Sequence, residues 1–344
     1  MTPEPPLRLA LDEEALVHNW RTLDRLSGSA RAGAAVKANA YGVGARRVTK
    51  ALARAGCRDF FVAYSGEAAE LDGLVDPSSI SILHGPQDAN DASFIAARGY
   101  RPVINSPHQA ALWLDASSAR CDVMVDTGIN RIGFSMDDLA DPTIGRLDVQ
   151  TVLSHLACAD EDSPMNDCQR ALWTDAVLHI GKCESSLANS AGIMLGSSYH
   201  GHLTRPGLAL YGGIPRAELA GEIRQVVRPQ AAIMQVRDLQ AGDTVGYNAT
   251  YTAAGPLRVA VVALGYADGY LRCWSGNGML RSNGRELPVL GRVSMDMTVI
   301  DLTAAPELRE GDWVEADYSL PEASQASGLS QYELLTLLGR RFTR

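Results

Sequence analysis

Several features that would narrow the class of this 344-residue chain are missing from it. Its six cysteines, Cys57, Cys121, Cys158, Cys168, Cys183 and Cys273, make no CxxC pair and no dense cluster. This speaks against a disulfide scaffold, and reduced thiols in a cytosolic enzyme are the expectation. No metal site is expected. No stretch approaches about 20 uninterrupted apolar residues, and residues 1–10 (MTPEPPLRLA) lack a basic-then-apolar run. A membrane span and a secretory signal are therefore not expected. There is no long basic block: 31 basic against 40 acidic side chains leave a formal net charge of -9. Neither nucleic acid nor an anionic membrane is an expected partner. Internal repeats and low-complexity tracts are absent as well. What remains is ordinary globular usage, 46% hydrophobic and 21% charged, enough to bury a large core. The length suits a barrel-sized domain plus a smaller one.

Short apolar runs alternate with amphipathic stretches over the first two-thirds of the chain. The runs, read as strands, are 34–36, 60–63, 80–83, 102–105, 123–126, 150–154, 187–189 and 208–211. Leu16, Trp20, Leu23 and Leu26 recur at helical spacing and predict a helix over 12–26, with Asp12 placed to cap it. Further helices are expected over 107–117, opening on Pro107, and over 163–181, between Ser163-Pro164 and Gly181. Eight strands interleaved with helices over roughly 200 residues predict an α/β fold of the (β/α)8 TIM-barrel type. After Gly213 the texture changes to β runs at 231–236, 258–263, 286–290 and 297–302. Turn signals Gly242-Asp243, Gly255-Pro256 and Asn283-Gly284 punctuate them. The expected organisation is a barrel domain over 1–225 and a mostly-β C-terminal domain over 226–344, whose one helix is at 330–339. The extended segment 7–11 is a candidate to join the β domain.

A barrel carries its active site where its strands end. The first run exits into AAVKANAYGVG, with Lys37 at the exit and Tyr41 on the loop. Burial lowers a lysine below its ordinary value of about 10.4 and makes it a nucleophilic amine suited to a Schiff base. The fifth run leads to DTGINRIGF, placing Arg131 over the mouth, and the sixth to SHLACAD, with His155 at its exit. The seventh gives LANSAG, where Asn189 and Ser190 sit in a small-residue turn whose N–H groups suit a phosphate. In LTRPGLALYG, Arg205 stands just before the eighth run and Gly207 and Leu208 within it. Taken singly, each has a plain structural reading. Lys37 is then a surface lysine, Arg131 and Arg205 ion-pair formers, His155 a satisfied core histidine and Ser190 a turn residue.

Taken in order, VKANAYG, DTGxxRxGF, SHLAxAD, LANSAG and LTRPGLALYG resemble the alanine racemases, and VGYNATYT, LGYADGY, GRVSMDM and YELLT continue the likeness. It runs from Leu7 to the final helix with order and approximate spacing kept. The resemblance implies a pyridoxal 5′-phosphate (PLP)-binding barrel and interconversion of L-alanine and D-alanine, for peptidoglycan supply or D-alanine breakdown. It also implies a cytoplasmic homodimer with shared active sites. Lys37 matches the lysine that carries PLP and later acts as an acid/base group, and Tyr247 the second base, delivered from the partner subunit. Tyr41, Ser190 and Tyr332, with N–H groups around Gly207 and Leu208, match the phosphate cradle, with Asn189 beside it. Arg205 matches the arginine facing the pyridine nitrogen, His155 its neighbour, and Arg131 the arginine near the catalytic tyrosine and substrate carboxylate. Met295 matches a residue whose N–H binds that carboxylate, with Asp296 beside it, and Tyr266 a tyrosine at the substrate entrance.

The chemistry fits these roles. Racemisation takes a proton from one face of Cα and delivers another to the opposite face, so two groups facing each other across the substrate plane are the natural solution. A phenol, ordinarily near 10, needs cationic neighbours to serve; Arg131 and a His155–Arg205 pair are the candidates. A guanidinium hardly gives up its proton, so Arg205 is expected to keep the ring nitrogen unprotonated and to limit side reactions such as transamination. The sequence departs from the family pattern at Met124, where many members carry a lysine, often carbamylated, that braces the arginine. Val43, Ser294 and Gly201 depart as well. The alternative is a racemase of the same fold with broader small amino-acid specificity, serine included. A decarboxylase is disfavoured by the lack of a cysteine–aspartate motif, and a non-catalytic PLP-binding barrel by the presence of the β domain with Tyr247.

Overall fold

In the computed structural model, which describes residues 4–339 and 341–342, the change of texture after Gly213 separates two units. One covers Glu13–Arg224. The other joins the N-terminal stretch through Asp12 to everything from Gln225 onward. The first strand, β1 (Leu7–Leu11), belongs to the latter.

In the unit Glu13–Arg224 the strands are short and almost wholly buried. They are β2 (Arg31–Ala32), β3 (Ala34–Ala35), β4 (Phe60–Val62), β5 (Ile80–Ile82), β6 (Arg101–Ile104), β7 (Cys121–Met124), β8 (Val149–Leu153) and β9 (Glu184–Ser186). Strands β3 to β9 form a parallel sheet in chain order. A further strand, β10 (Leu203–Thr204), closes it by pairing parallel with β2. Its segment accepts the N–H groups of Arg31, Gly33 and Ala35 on one side, and Arg205 N–H reaches Ala188 O at 2.8 Å on the other. The ring of the barrel is thereby complete. Helices fill the crossovers, and three of them start at a capping side chain: Asp88 for Ala89–Arg98, Ser106 for Pro107–Ala116 and Ser163 for Pro164–Ile180.

The last two barrel strands differ from expectation. The seventh is Glu184–Ser186, and 187–189 is the loop that leaves it. The run 208–211 is a single 3-10 turn, and the eighth strand precedes it. All four residues of LALY are buried, and a short buried apolar run has no period that separates strand from helix. Arg205 thus follows its strand, as Lys37 and His155 follow theirs.

Charged groups at the strand beginnings pair inside the barrel, away from those exits. Arg101 Nε donates to Asp122 Oδ2 at 2.9 Å, Ser81 donates to the same oxygen at 2.8 Å, and Arg31 reaches both Asp59 and Glu184. Arg101 and Asp122 are buried, so removing one partner of that pair costs about 3–5 kcal/mol, whereas Arg31 and Glu184 stand more than a third exposed.

In the second unit β11 (Val227–Leu239) is a long bent strand, followed by the small hairpin of β12 (Thr244–Val245) and β13 (Tyr251–Thr252). Then come β14 (Leu257–Val262), β15 (Met279–Ser282), β16 (Arg285–Leu290), β17 (Thr298–Asp301) and β18 (Trp313–Ala316). The order β1-β11-β14-β17-β16-β15-β18 returns to β11 through a β11–β18 pairing, which closes the sheet on itself. Asn283 and Gly284, at φ +49° and +78°, make the tight turn between β15 and β16. The expectation of a single helix here is corrected: Leu320–Ser327 precedes Gln331–Thr336. Its Ser/Ala-rich turns carry a weak apolar stripe.

Candidate active site

The chain after β3 does something no helical or extended pattern announces. Ala38, Asn39, Ala40 and Tyr41 all have φ between +52° and +55°, one turn of left-handed backbone without a glycine. Such backbone costs about 1–2 kcal/mol per residue, so its surroundings must hold it. Lys37 sits immediately before the turn. Glu67 accepts the N–H of Ala38 on one carboxylate oxygen and that of Ala63 on the other, each at 2.7 Å. Asn39 Oδ1 accepts from Ala45 at 2.8 Å. Tyr41 is thrown inward, its ring 5.0 Å from that of Tyr211.

Lys37, Arg131, His155, Ser190 and Arg205 all follow strand ends in one parallel ring and so share its C-terminal face. Burial, then the charges of Arg131 and Arg205, hold the Lys37 ammonium below its ordinary value, with Glu67 acting the other way. Burial and the cations Arg205, Arg131 and Lys37 push His155 down to about 3. This corrects the expectation of a His155–Arg205 cationic pair: crowded by three cations, the imidazole is neutral at ordinary pH. Arg205 is lowered to about 10 by burial, with Asp122 opposing, and stays charged. Its Nη2 donates to Ser154 O at 2.5 Å, and its Nη1 to the carbonyl and hydroxyl oxygens of Ser186. Among the described residues its Nε has no partner.

Ser190 Oγ accepts the N–H groups of Gly207 (2.9 Å) and Ala209 (3.2 Å). The N–H of Leu208, between them and 2% exposed, bonds to nothing among the described residues. A Cβ at Gly207 would overlap the Tyr41 hydroxyl, so only glycine lets the phenol reach this turn. An orphan buried N–H beside two hydroxyls is a cradle for an oxyanion, and with the amine of Lys37 and the open donor of Arg205 it fits PLP. Asn189 is occupied otherwise, its Oδ1 accepting from Gly192 at 2.9 Å.

Arg131 is exposed, and its guanidinium pairs with no side chain among the described residues. Its loop is shaped by Asp126, which accepts the N–H groups of Gly128, Asn130 and Arg131 at 2.8, 3.1 and 2.9 Å. Met124 is buried against Val103 and Leu153. Gly201 has φ +68°, with the Ser185 backbone where a side chain would stand, so a bulky residue has no room there.

In the other unit Tyr266, Met295 and Asp296 come together. Tyr266 N–H donates to Ser294 O (3.0 Å) and Ala267 N–H to Met295 O (2.9 Å). Arg341 bridges Asp296 to the buried Asp268 at 2.7 Å each. Tyr247, 63% exposed, projects from a separate loop bent by left-handed Gly246, Asn248 and Ala249. Tyr332 is exposed on the helix Gln331–Thr336.

Known proteins agree in both units. The family model for the alanine racemase N-terminal domain matches residues 11–215, and that for the C-terminal domain residues 226–344. The chain belongs to the alanine racemase family. The biosynthetic alanine racemase of Agrobacterium fabrum is 40% identical over 99% of this chain and 94% of its own length. The catabolic one from the same organism is also 40% identical, over 98% and 91%. Among solved structures, alanine racemase from Bartonella henselae with covalently bound pyridoxal phosphate superposes with a TM-score of 0.89 at 34% identity, covering 99% of both chains. The biosynthetic alanine racemase from Pseudomonas aeruginosa gives 0.87 at 34% identity, again over 99% of both.

Within this alanine racemase fold, sequence reasoning overlooked the residues that hold the named ones in place. Gln169, fully buried on Pro164–Ile180, donates to Thr127 Oγ1 (3.2 Å) and His155 O (3.0 Å) and accepts from Ala157 N–H (2.8 Å). It ties the loop after β7 to the loop after β8. Ser186, Asp126 and Glu67 act likewise. Asp126 stands in the DTG motif and was open to such a reading, since an Asp before Gly and Asn commonly gathers turn N–H groups. The other three carry no local signal.

Proposed function

We propose that this chain interconverts L-alanine and D-alanine by withdrawing the Cα proton on one face and returning a proton to the other, with Lys37 and Tyr247 as the two carriers. It is an isomerase of the alanine racemase family, and pyridoxal 5′-phosphate is its cofactor. When bound, PLP supplies the electron sink that lets Cα give up its proton. The observation behind the reading is the setting of Lys37: an amine whose proton affinity is lowered by burial and two arginines, on the same barrel face as the oxyanion cradle. Lowered affinity leaves more free amine near neutral pH, as a base requires.

Ser190, Tyr41 and the N–H of Leu208 would hold the cofactor's phosphate. Arg205, both of whose Nη atoms are spent on backbone and Ser186, keeps Nε free and would offer it to the cofactor ring, where a guanidinium that holds its own proton would leave the ring nitrogen unprotonated. His155 is neutral beside it, so the positive charge on this face of the barrel, Lys37 apart, is that of Arg131 and Arg205. Arg131 also takes the substrate carboxylate, together with Met295 N–H, and Tyr266 narrows the entrance. Tyr247 reaches the substrate from the partner subunit of a homodimer, giving two composite sites per pair.

The names of the relatives favour alanine over a broader small amino-acid range. D-alanine made here feeds peptidoglycan or is recovered for catabolism; the two Agrobacterium relatives carry one name each. All six cysteines are free, which suits the reducing cytoplasm, and no helix among the described residues is long and apolar enough to cross a membrane. The test is incubation of the cofactor-loaded protein with L-alanine in deuterium oxide. D-alanine should form with deuterium at Cα, and borohydride should abolish activity and leave its label on Lys37. Absence of deuterium at Cα, or faster racemisation of serine or a basic amino acid, overturns the assignment.

A further inference from the structure

We infer that Glu67 is a positioning residue for the amine of Lys37: one carboxylate clamps the left-handed turn that follows the lysine and sets a negative charge beside it. The inference rests on reading Lys37 as the cofactor lysine. Glu67 lies in the short helix Ser65–Ala69, on the loop after β4, the strand that pairs with β3. One of its oxygens takes the N–H of Ala38, the first peptide after Lys37. The other takes the N–H of Ala63, the residue after β4. Both bonds are 2.7 Å, and hydrogen bonds to an ionised carboxylate are about twice as strong as neutral ones.

The turn from Ala38 to Tyr41 has no glycine, so right-handed backbone is intrinsically preferred at every position. Pinned through Glu67 to the neighbouring strand, it cannot unwind without breaking one of the two bonds. The charged groups acting on the amine are Arg131 and Arg205, both repelling its proton, and Glu67, the single acid among them; His155 is neutral. A lysine facing two guanidiniums and no acid would lose its proton too readily to return one to Cα. Glu67 therefore balances the amine between the two halves of the reaction.

The chain contains only three lysines, Lys37, Lys50 and Lys182, so acylation of Lys37 can be followed by peptide mass spectrometry. The full-length chain freed of cofactor is acylated across a pH series, and amide exchange over residues 38–45 is measured in parallel. Glu67→Gln should move the Lys37 midpoint down by about half a pH unit or more and speed exchange over 38–45. In the loaded enzyme kcat should fall about 10- to 100-fold with KM little changed. Glu67→Asp keeps the charge but shortens the reach, so it should speed exchange and leave the midpoint near that of wild type; it also serves should the Gln variant not fold. A Gln midpoint that is unchanged or raised, or exchange over 38–45 at the wild-type rate in both variants, overturns the proposal. Borohydride labelling of wild type on a lysine other than Lys37 would instead overturn the reading beneath it.

Discussion

Ser186 holds one arm of Arg205 twice, accepting from Nη1 on its carbonyl oxygen at 2.8 Å and on its hydroxyl at 2.5 Å. Ser186 is fully buried, and Arg205 nearly so, which makes the hydroxyl a replacement for water the guanidinium has lost. Ser186→Ala leaves the carbonyl and removes the hydroxyl. Urea unfolding should show a loss of about 1–3 kcal/mol, the usual worth of a buried hydrogen bond to a charged group. Wild-type stability in that variant would mean that the backbone alone holds Arg205.

His155 carries a pH signature. Unfolded, its imidazole takes a proton near 6.5; folded, it does so only at about 3. The folded state thus binds fewer protons in that window, and the contribution of His155, intact above about 6.5, is lost as pH falls toward 3. Between about pH 7.5 and pH 5 the wild-type Tm should drop more steeply than that of His155→Gln. Parallel curves would show that the imidazole is not held neutral. The same depression predicts that no limb of the rate profile in this range belongs to His155.

Gly207 is a test of the cradle. The first obstacle to Gly207→Ala is the Tyr41 phenol, whose hydroxyl and Cζ crowd the place where the new Cβ would stand. The variant should fold, displace the phenol and weaken cofactor retention by about tenfold or more, the cost of one lost hydrogen bond to an anion. Equilibrium dialysis with PLP measures it, and Tyr41→Phe should lower affinity similarly without adding to the loss in Gly207→Ala.

These sites differ in how far they could be read from sequence. The barrel could be read because each short apolar run lies between covered faces and several helices announce their start with Ser, Asp or Pro. Lys37 and His155 could be placed at strand exits for the same reason: polarity returns abruptly after Val36 and Ser154. The eighth strand could not, because LTRPGLALY offers two apolar pieces, and the more apolar one, at 208–211, is the 3-10 turn. The left-handed turn was hidden more deeply. KANAY has the composition of a helix, and the reversed turn is held at Ala38 by Glu67, 29 residues away. Burial and charge, which put the imidazole of His155 at about 3, likewise exist only once Arg131, Arg205 and Lys37 are assembled around it. Local pattern fixes where an element begins; the company a side chain keeps is decided by contacts across the chain.

Lys37 and Tyr247 belong to different units of the chain, Lys37 to Glu13–Arg224 and Tyr247 to the one that begins again at Gln225. If the second proton carrier comes from the partner, neither single variant can turn over, because every site in a uniform dimer lacks one carrier. In a mixed dimer of Lys37→Ala and Tyr247→Phe subunits, one of the two sites would join the intact lysine of one chain to the intact tyrosine of the other. The second site would lack both. With random exchange about half the dimers are mixed, each with one competent site of two, so activity should return to about a quarter of wild type. Subunit exchange is followed separately by mass tags on the two chains. Full exchange without recovered activity would show that lysine and tyrosine act within one subunit, and a single chain would then have to serve both faces of Cα.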